Sequence, residues 1–240
     1  MKKQNIIIVF SITSIFLHAS FSRAEVQPVQ TLSSDKEVTE LATLPPRAIS
    51  YESAFVLPKG ATRIGLIDFT TGLGRHWELS TIILPNLLGS VNVGGAYNFL
   101  NTENLAFKAS IDYALRVNTD VDRGNLVPGL KNTYQIFPFL HHHLGVAYNY
   151  HISETDKNNA ELSSVWEWRF FKENRYTRSL KLALLGKHSF QENTSELGTI
   201  SLMHSWAWNK FHLEAGAFYD EDKTFFDSPL FPILNFYWTL

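Results

Sequence analysis

The chain has 240 residues, no cysteine, 21 Lys and Arg against 23 Asp and Glu, and a formal net charge of −2. So near-neutral a balance leaves no electrostatic footprint for nucleic acid, and the lack of cysteine excludes disulfides and thiolate chemistry. The length suits one large domain.

The chain begins with a short basic segment, MKKQN, followed by the apolar run IIIVFSITSIFL. Ser22 and Ala24 stand at the small-residue positions of a cleavage site, so residues 1–24 are expected to be a secretory signal peptide. The apolar run is short for a bilayer-spanning helix of roughly 20 residues. Residues 25–47 are polar, carry Pro28 and Pro45-Pro46, and hold no sustained period. They read as a flexible periplasmic leader.

From residue 48 to the end the sequence alternates. The stretches 48–57, 62–71 and 77–84 alternate only loosely. In 90–100, Val91, Val93, Tyr97 and Phe99 oppose Asn92, Gly94, Ala96 and Asn98. In 105–117, the set Leu105, Phe107, Ala109, Ile111, Tyr113, Leu115 and Val117 opposes Lys108, Ser110, Asp112 and Arg116. A helix at 100° per residue would scatter the first set around its axis, whereas a strand puts all of it on one face. The stretch 131–140 is irregular, and Pro138 inside it favours a bend.

The same sorting continues downstream. Leu144, Val146, Tyr148, Tyr150 and Ile152 oppose Gly145, Ala147, Asn149, His151 and Ser153. Leu162, Trp166, Trp168 and Phe170 oppose Ser163, Glu167 and Arg169; Leu180, Leu182 and Leu184 oppose Lys181, Ala183 and Lys187. Ile200, Leu202, Trp206 and Trp208 oppose Thr199, Ser201 and Ser205. Phe211, Leu213 and Tyr219 oppose His212 and Glu214, and Leu234, Phe236, Trp238 and Leu240 oppose Asn235, Tyr237 and Thr239. All counted, this predicts about twelve strands, or ten if 48–57 is not one.

The predicted connections also alternate in length. Short ones fall at 101–104, 141–143, 173–178 and 209–210, and longer polar ones at 118–129, 154–161, 191–198 and 220–229. A secreted, meandering series of this kind predicts a closed, antiparallel, up-and-down transmembrane β-barrel over 48–240. The alternative is a soluble secreted ligand-binding barrel, in which the apolar face is the core. Two features favour lipid. The polar face is rich in Ala, Gly, Ser and Asn, which suit the inside of a narrow barrel. With the C-terminus and short turns on the periplasmic side, Tyr97, Phe99, Trp168, Trp206, Trp208, Phe211 and Trp238 cluster at one rim, and Tyr113, Tyr148, Tyr150 and Tyr219 at the other, as aromatic girdles.

The terminal segment ILNFYWTL resembles the C-terminal assembly signal of Gram-negative outer-membrane β-barrel proteins, through Trp238 and Leu240 at the third-last and last positions. Leu replaces the usual terminal Phe, and Asn235 stands where Gly is common. The resemblance implies localisation in the outer membrane, contact with its lipid, and recognition of the last strand by the barrel-assembly machinery.

Candidate chemistry is sparse. His151 and Ser153 form an H-x-S pair, with Asn158 and Asn159 nearby; outer-membrane phospholipase A is similar in using a His and a Ser two apart, which raises the alternative of a lipid-modifying enzyme. However, the alternation turns this pair away from the lipid face, and the flanking residues do not reproduce the fuller motif. His188 and His204 fall on the apolar face beside Ser189 and Ser205, which point the other way. The run His141–His143 is expected in a tight turn without a nearby carboxylate, so no metal site is assigned. No cofactor motif occurs. The inward set is Glu78, Lys108, Asp112, Arg116, His151, Glu167, Arg169, Lys181, Lys187, His212 and Glu214. Its mixed signs suit either a filled structural barrel or a small passive channel without strong ion selectivity.

Overall fold

The computed structural model describes residues 53–65, 68–83, 90–102, 104–116, 123–152, 158–173, 176–208, 210–220 and 229–240. The expected signal peptide and the leader over 25–47 lie outside them. Twelve strands follow in chain order: β1 Thr62–Gly65, β2 Asp68–Gly72, β3 Trp77–Ile82, β4 Ser90–Asn101, β5 Leu105–Arg116, β6 Arg123–Phe137, β7 Leu140–His151, β8 Asn159–Glu173, β9 Tyr176–Ser189, β10 Thr194–Trp208, β11 Phe211–Asp220 and β12 Leu230–Thr239. Each pairs antiparallel with its sequence neighbours, and β1 pairs with β12 to close the barrel.

The strand count agrees with the sequence reading, but its make-up differs at the N-terminal side. The described part of the expected strand 48–57 is not a strand: residues 53–58 are irregular and lie inside the barrel. The expected single strand 62–71 is instead the hairpin β1–β2, in which Ile64 faces Phe69 in register. Pro138 and Phe139 form the β6–β7 turn, so His141–His143 are strand residues of β7 rather than a turn. Several long loops are shorter than expected, because β6, β8 and β10 begin at Arg123, Asn159 and Thr194. The β9–β10 turn is only Phe190–Asn193, and Asn193 takes φ 49°. That left-handed conformation is one that Asn tolerates better than most residues.

Pro128 inside β6 has no N–H to give a ladder. Pairing to β5 runs on past it, whereas pairing to β7 passes from Leu126↔Tyr150 directly to Gly129↔Ala147. Register shifts occur between Asn98 and Leu100, Gln135 and Phe137, and Arg169 and Phe171 at the short-turn ends of their strands, and between Leu197 and Thr199 near the other end of β10. Bulges at barrel rims are a recurrent device for twisting and re-aiming side chains; here Phe99 and Leu100 both come to the outside.

β1–β3 are only four to six residues long, against the roughly 9–11 residues of a full transmembrane strand. At the end of β3, Asn92 of β4 stands in for missing ladder bonds. Its side-chain Oδ1 accepts from the Ile82 N–H, its Nδ2 donates to the Ile82 carbonyl at 2.8 Å, and its backbone oxygen accepts from Thr81 Oγ1 at 2.8 Å.

The packing is inverted relative to a soluble domain. Among the described residues, 22 buried side chains are polar or charged and eight are apolar. All but the outward pair His142 and Ser164 of the polar ones face in, so the enclosed space is a polar lumen rather than an apolar core. Large apolar residues such as Val91, Ile111, Leu130, Val146, Leu202 and Leu234 are exposed on the outer face.

Candidate functional site: a polar lumen closed at one end

Alternation sets which side chains enter the lumen. At the short-turn end these form a dense layer. Lys108 Nζ donates to Glu78 Oε1 at 2.8 Å, and both side chains are about nine-tenths buried. Lys181 is fully buried and bonds to Glu214, whose other oxygen accepts from Asn235 Nδ2 at 3.3 Å. Lys181 also lies in register with Glu167. Glu167 takes a guanidinium bond from Arg169 at 3.0 Å and faces His143 Nε2 at 3.2 Å. His212 stacks on Tyr237, with ring centroids 4.3 Å apart, and Arg63 covers the same tyrosine ring at 5.4 Å while pairing with Asp68 at 3.8 Å. Buried charges are tolerated where they meet opposite charges and hydrogen bonds of this kind.

Residues 53–58 cross this layer. Ser53, Ala54, Val56 and Leu57 are each no more than 5% exposed. The Ala54 N–H donates to Thr133 Oγ1 at 2.7 Å, Asn98 Nδ2 donates to the Ala54 carbonyl at 2.8 Å, and the Leu57 N–H donates to Glu78 Oε2 at 3.3 Å. Thr133 Oγ1 is also 3.0 Å from His143 Nδ1. Thr133 Oγ1 bridges the Ala54 N–H and the His143 ring, whose other nitrogen faces Glu167. Segment and network are thus continuous, from Ala54 through Thr133 and His143 to the Glu167–Arg169 pair.

Above the layer lies a cavity of ≈ 310 Å³. Its charged lining includes Arg63, Lys108 and Lys131 against Asp68, Asp112 and Glu161. Small residues make the space. A Cβ at Gly145 would stand 2.5 Å from Ser163 Oγ, and one at Gly94 would collide with the Asp112 carboxylate. Glu78 belongs to both regions, since one oxygen holds Lys108 in the cavity wall and the other holds Leu57 below.

Of the residues singled out from the sequence, Glu78, Lys108, Glu167, Arg169, Lys181, His212 and Glu214 lie in the lumen layer, and Asp112 lines the cavity. Lys187 is exposed and in register with Glu161 and Glu196. His151 is half-buried on the inward register of β7, opposite Asn125; its backbone N–H bonds to Asn158 Oδ1 at 2.9 Å. Ser153 and the Arg116 side chain lie outside the described part. Tyr97, Phe99, Tyr113, Tyr148, Tyr150, Trp208, Tyr219 and Trp238 are exposed, while Trp168, Trp206 and Phe211 are half-buried on the same outer register.

The expectation that no carboxylate lies near the histidine run is overturned, because Glu167 reaches His143. Even so, no group of three or more metal-ligating side chains forms among the described residues. His142 points outward, bonds to Ser164 Oγ at 2.9 Å and stacks on Trp166. His188 pairs across strands with Ser195 Oγ at 2.8 Å, rather than with its chain neighbour. Sequence reasoning missed Arg63, Asp68 and Thr133, and placed Asn98 on the polar face of its strand without singling it out. Thr133 shares the odd-numbered face of β6 with Lys131, a pattern obscured by the irregular alternation of 131–140.

One solved structure similar to this chain is described as "KdgM porin in complex with disordered oligogalacturonate". It shows 10% sequence identity and a TM-score of 0.45, with 75% of this chain and 94% of that chain covered. No protein-family model matches the chain, and no curated protein matches it in sequence.

Proposed function

We propose that this chain is an outer-membrane β-barrel that gives small polar solutes a passive, weakly selective pathway. The observation that carries the reading is the inverted packing: a closed barrel with exposed large apolar side chains outside and paired charges inside. An aqueous setting makes such an outer surface an aggregation hazard, whereas lipid makes it the solvated face. The mixed-charge cavity supports passage of neutral or zwitterionic polar solutes over selection of one ion sign. In this reading the short-turn end is periplasmic, the outer aromatics anchor the two interfaces, and Trp238 and Leu240 on the last strand engage the assembly machinery.

The test has two parts. Cell fractionation with heat-modifiable gel migration is expected to place the folded chain in the outer membrane; recovery only from the soluble periplasm refutes the placement. Planar bilayers are expected to show small discrete conductance steps. A barrel that inserts and folds yet stays silent, even with the 53–58 segment displaced, is a structural barrel and not a channel.

A further inference from the structure

We infer that residues 53–58 are an internal gate, so that the pathway conducts only when this segment leaves the short-turn end of the lumen. The inference rests on the channel reading above and adds its regulation. Three observations carry it. The segment is buried inside the closed barrel, where it brings the apolar Val56 and Leu57 among largely polar walls. It adds no strand to the wall; its ties to the lumen come from the side chains of Asn98, Thr133 and Glu78. It joins β1 through a turn at Lys59–Gly60, where Gly60 takes φ 80°, a conformation open to glycine without strain. A segment bound by a few side chains and hinged at one end can leave without unzipping the barrel.

The wall opposite is fitted to the segment in its closed position. A Cβ at Gly72 would stand 2.5 Å from the Leu57 carbonyl oxygen and collide with that of Pro58. Both are backbone atoms, so Gly72→Ala displaces the segment sterically, disturbing the 3.0 Å bond from the Ala61 N–H to the Pro58 carbonyl while leaving the side chains of Asn98, Thr133 and Glu78 unchanged. The cysteine-free sequence also permits a clean lock. Ala54 and Thr133 are joined by a 2.7 Å hydrogen bond, which brings the two positions within the Cα separation of up to about 6.8 Å that a disulfide bridges.

The experiment compares the full mature chain, its Gly72→Ala variant and the Ala54→Cys/Thr133→Cys variant in planar bilayers, each first shown to be folded by heat-modifiable migration. If the open state is a minor one, at about 10% or less of the wild-type population, displacement raises the time spent open by about tenfold or more. The oxidised double-cysteine variant is expected to stay closed and to regain wild-type steps on reduction. The lock carries the test alone if Gly72→Ala does not fold. Equal, non-zero conductance from wild type, oxidised lock and Gly72→Ala overturns the gate while leaving the channel. Silence from every folded variant, reduced lock included, overturns the channel reading and the gate with it.

Discussion

Replacing Lys181 with methionine tests whether the lumen layer is desolvated. Lys181 is fully buried between Glu214, to which it bonds, and Glu167, its register partner on β8. Two unit charges about 4 Å apart attract by about 4 kcal/mol at an effective dielectric constant near 20. Most of that is offset by the desolvation of both groups, so the intact pair adds little net stability. Removing one partner is different, because the survivor stays desolvated, at a cost of about 3–5 kcal/mol. Lys181→Met leaves Glu214 with only the 3.3 Å Asn235 bond among its described partners, and removes a positive charge from beside Glu167. Glu214→Gln leaves Lys181 its Glu167 neighbour, and a loss of about 1–3 kcal/mol is expected, the range for a weakened buried polar contact. The double variant leaves no unpaired charge in the pair and should recover most of the Lys181→Met loss. Urea unfolding of the refolded barrel in detergent, followed by tryptophan fluorescence, measures all three. Variants that unfold together with wild type, within about 0.5 kcal/mol, refute the desolvated layer and put the pair in water.

Leu202→Arg on the outer face of β10, where Leu202 is 53% exposed, is expected to cost about 2–4 kcal/mol in lipid if it lies near the midplane; the reverse result, no loss in vesicles, speaks against lipid contact at that face. Asn92→Ala removes the side-chain bonds that finish β3, so the Ile82 amide should exchange its hydrogen markedly faster, with core amides of β8 and β9 unchanged. His151→Ala should leave hydrolysis of vesicle phospholipid at the background of protein-free vesicles, as should wild type; a wild-type activity abolished by this change supports the enzyme reading instead.

Period-2 alternation made β5 and β7–β12 legible, because each has one apolar and one polar face. The reading failed at 53–57, where Ala54, Phe55, Val56 and Leu57 form an apolar run with little alternation: this segment is enclosed by the lumen instead of pairing as a strand, and β-propensity describes a fit to a pleated, half-buried surface rather than a backbone preference. β6 was only half visible, since Gly124, Pro128 and Gly129 carry turn chemistry within a strand whose pairing to β5 absorbs them. The β6–β7 turn was hidden for the opposite reason. Phe137 and Phe139, stacked 5.5 Å apart around Pro138, are apolar where a turn in water would be polar. Inward charges were legible residue by residue, but their partners were not. The pairs Lys108–Glu78 and Lys181–Glu214 join strands whose relative register no local pattern specifies.

The central claim is that the outer face meets lipid. All six tryptophans lie on the outer register; Trp77, Trp168, Trp206, Trp208 and Trp238 are in the short-turn half of their strands and Trp166 is at the middle of β8. Tryptophan fluorescence of the barrel reconstituted in vesicles of brominated phospholipid tests the claim directly. The account predicts strong quenching by bromines placed shallow in the acyl chains and little quenching by iodide in the water. Emission that brominated lipid leaves intact and iodide quenches would contradict it.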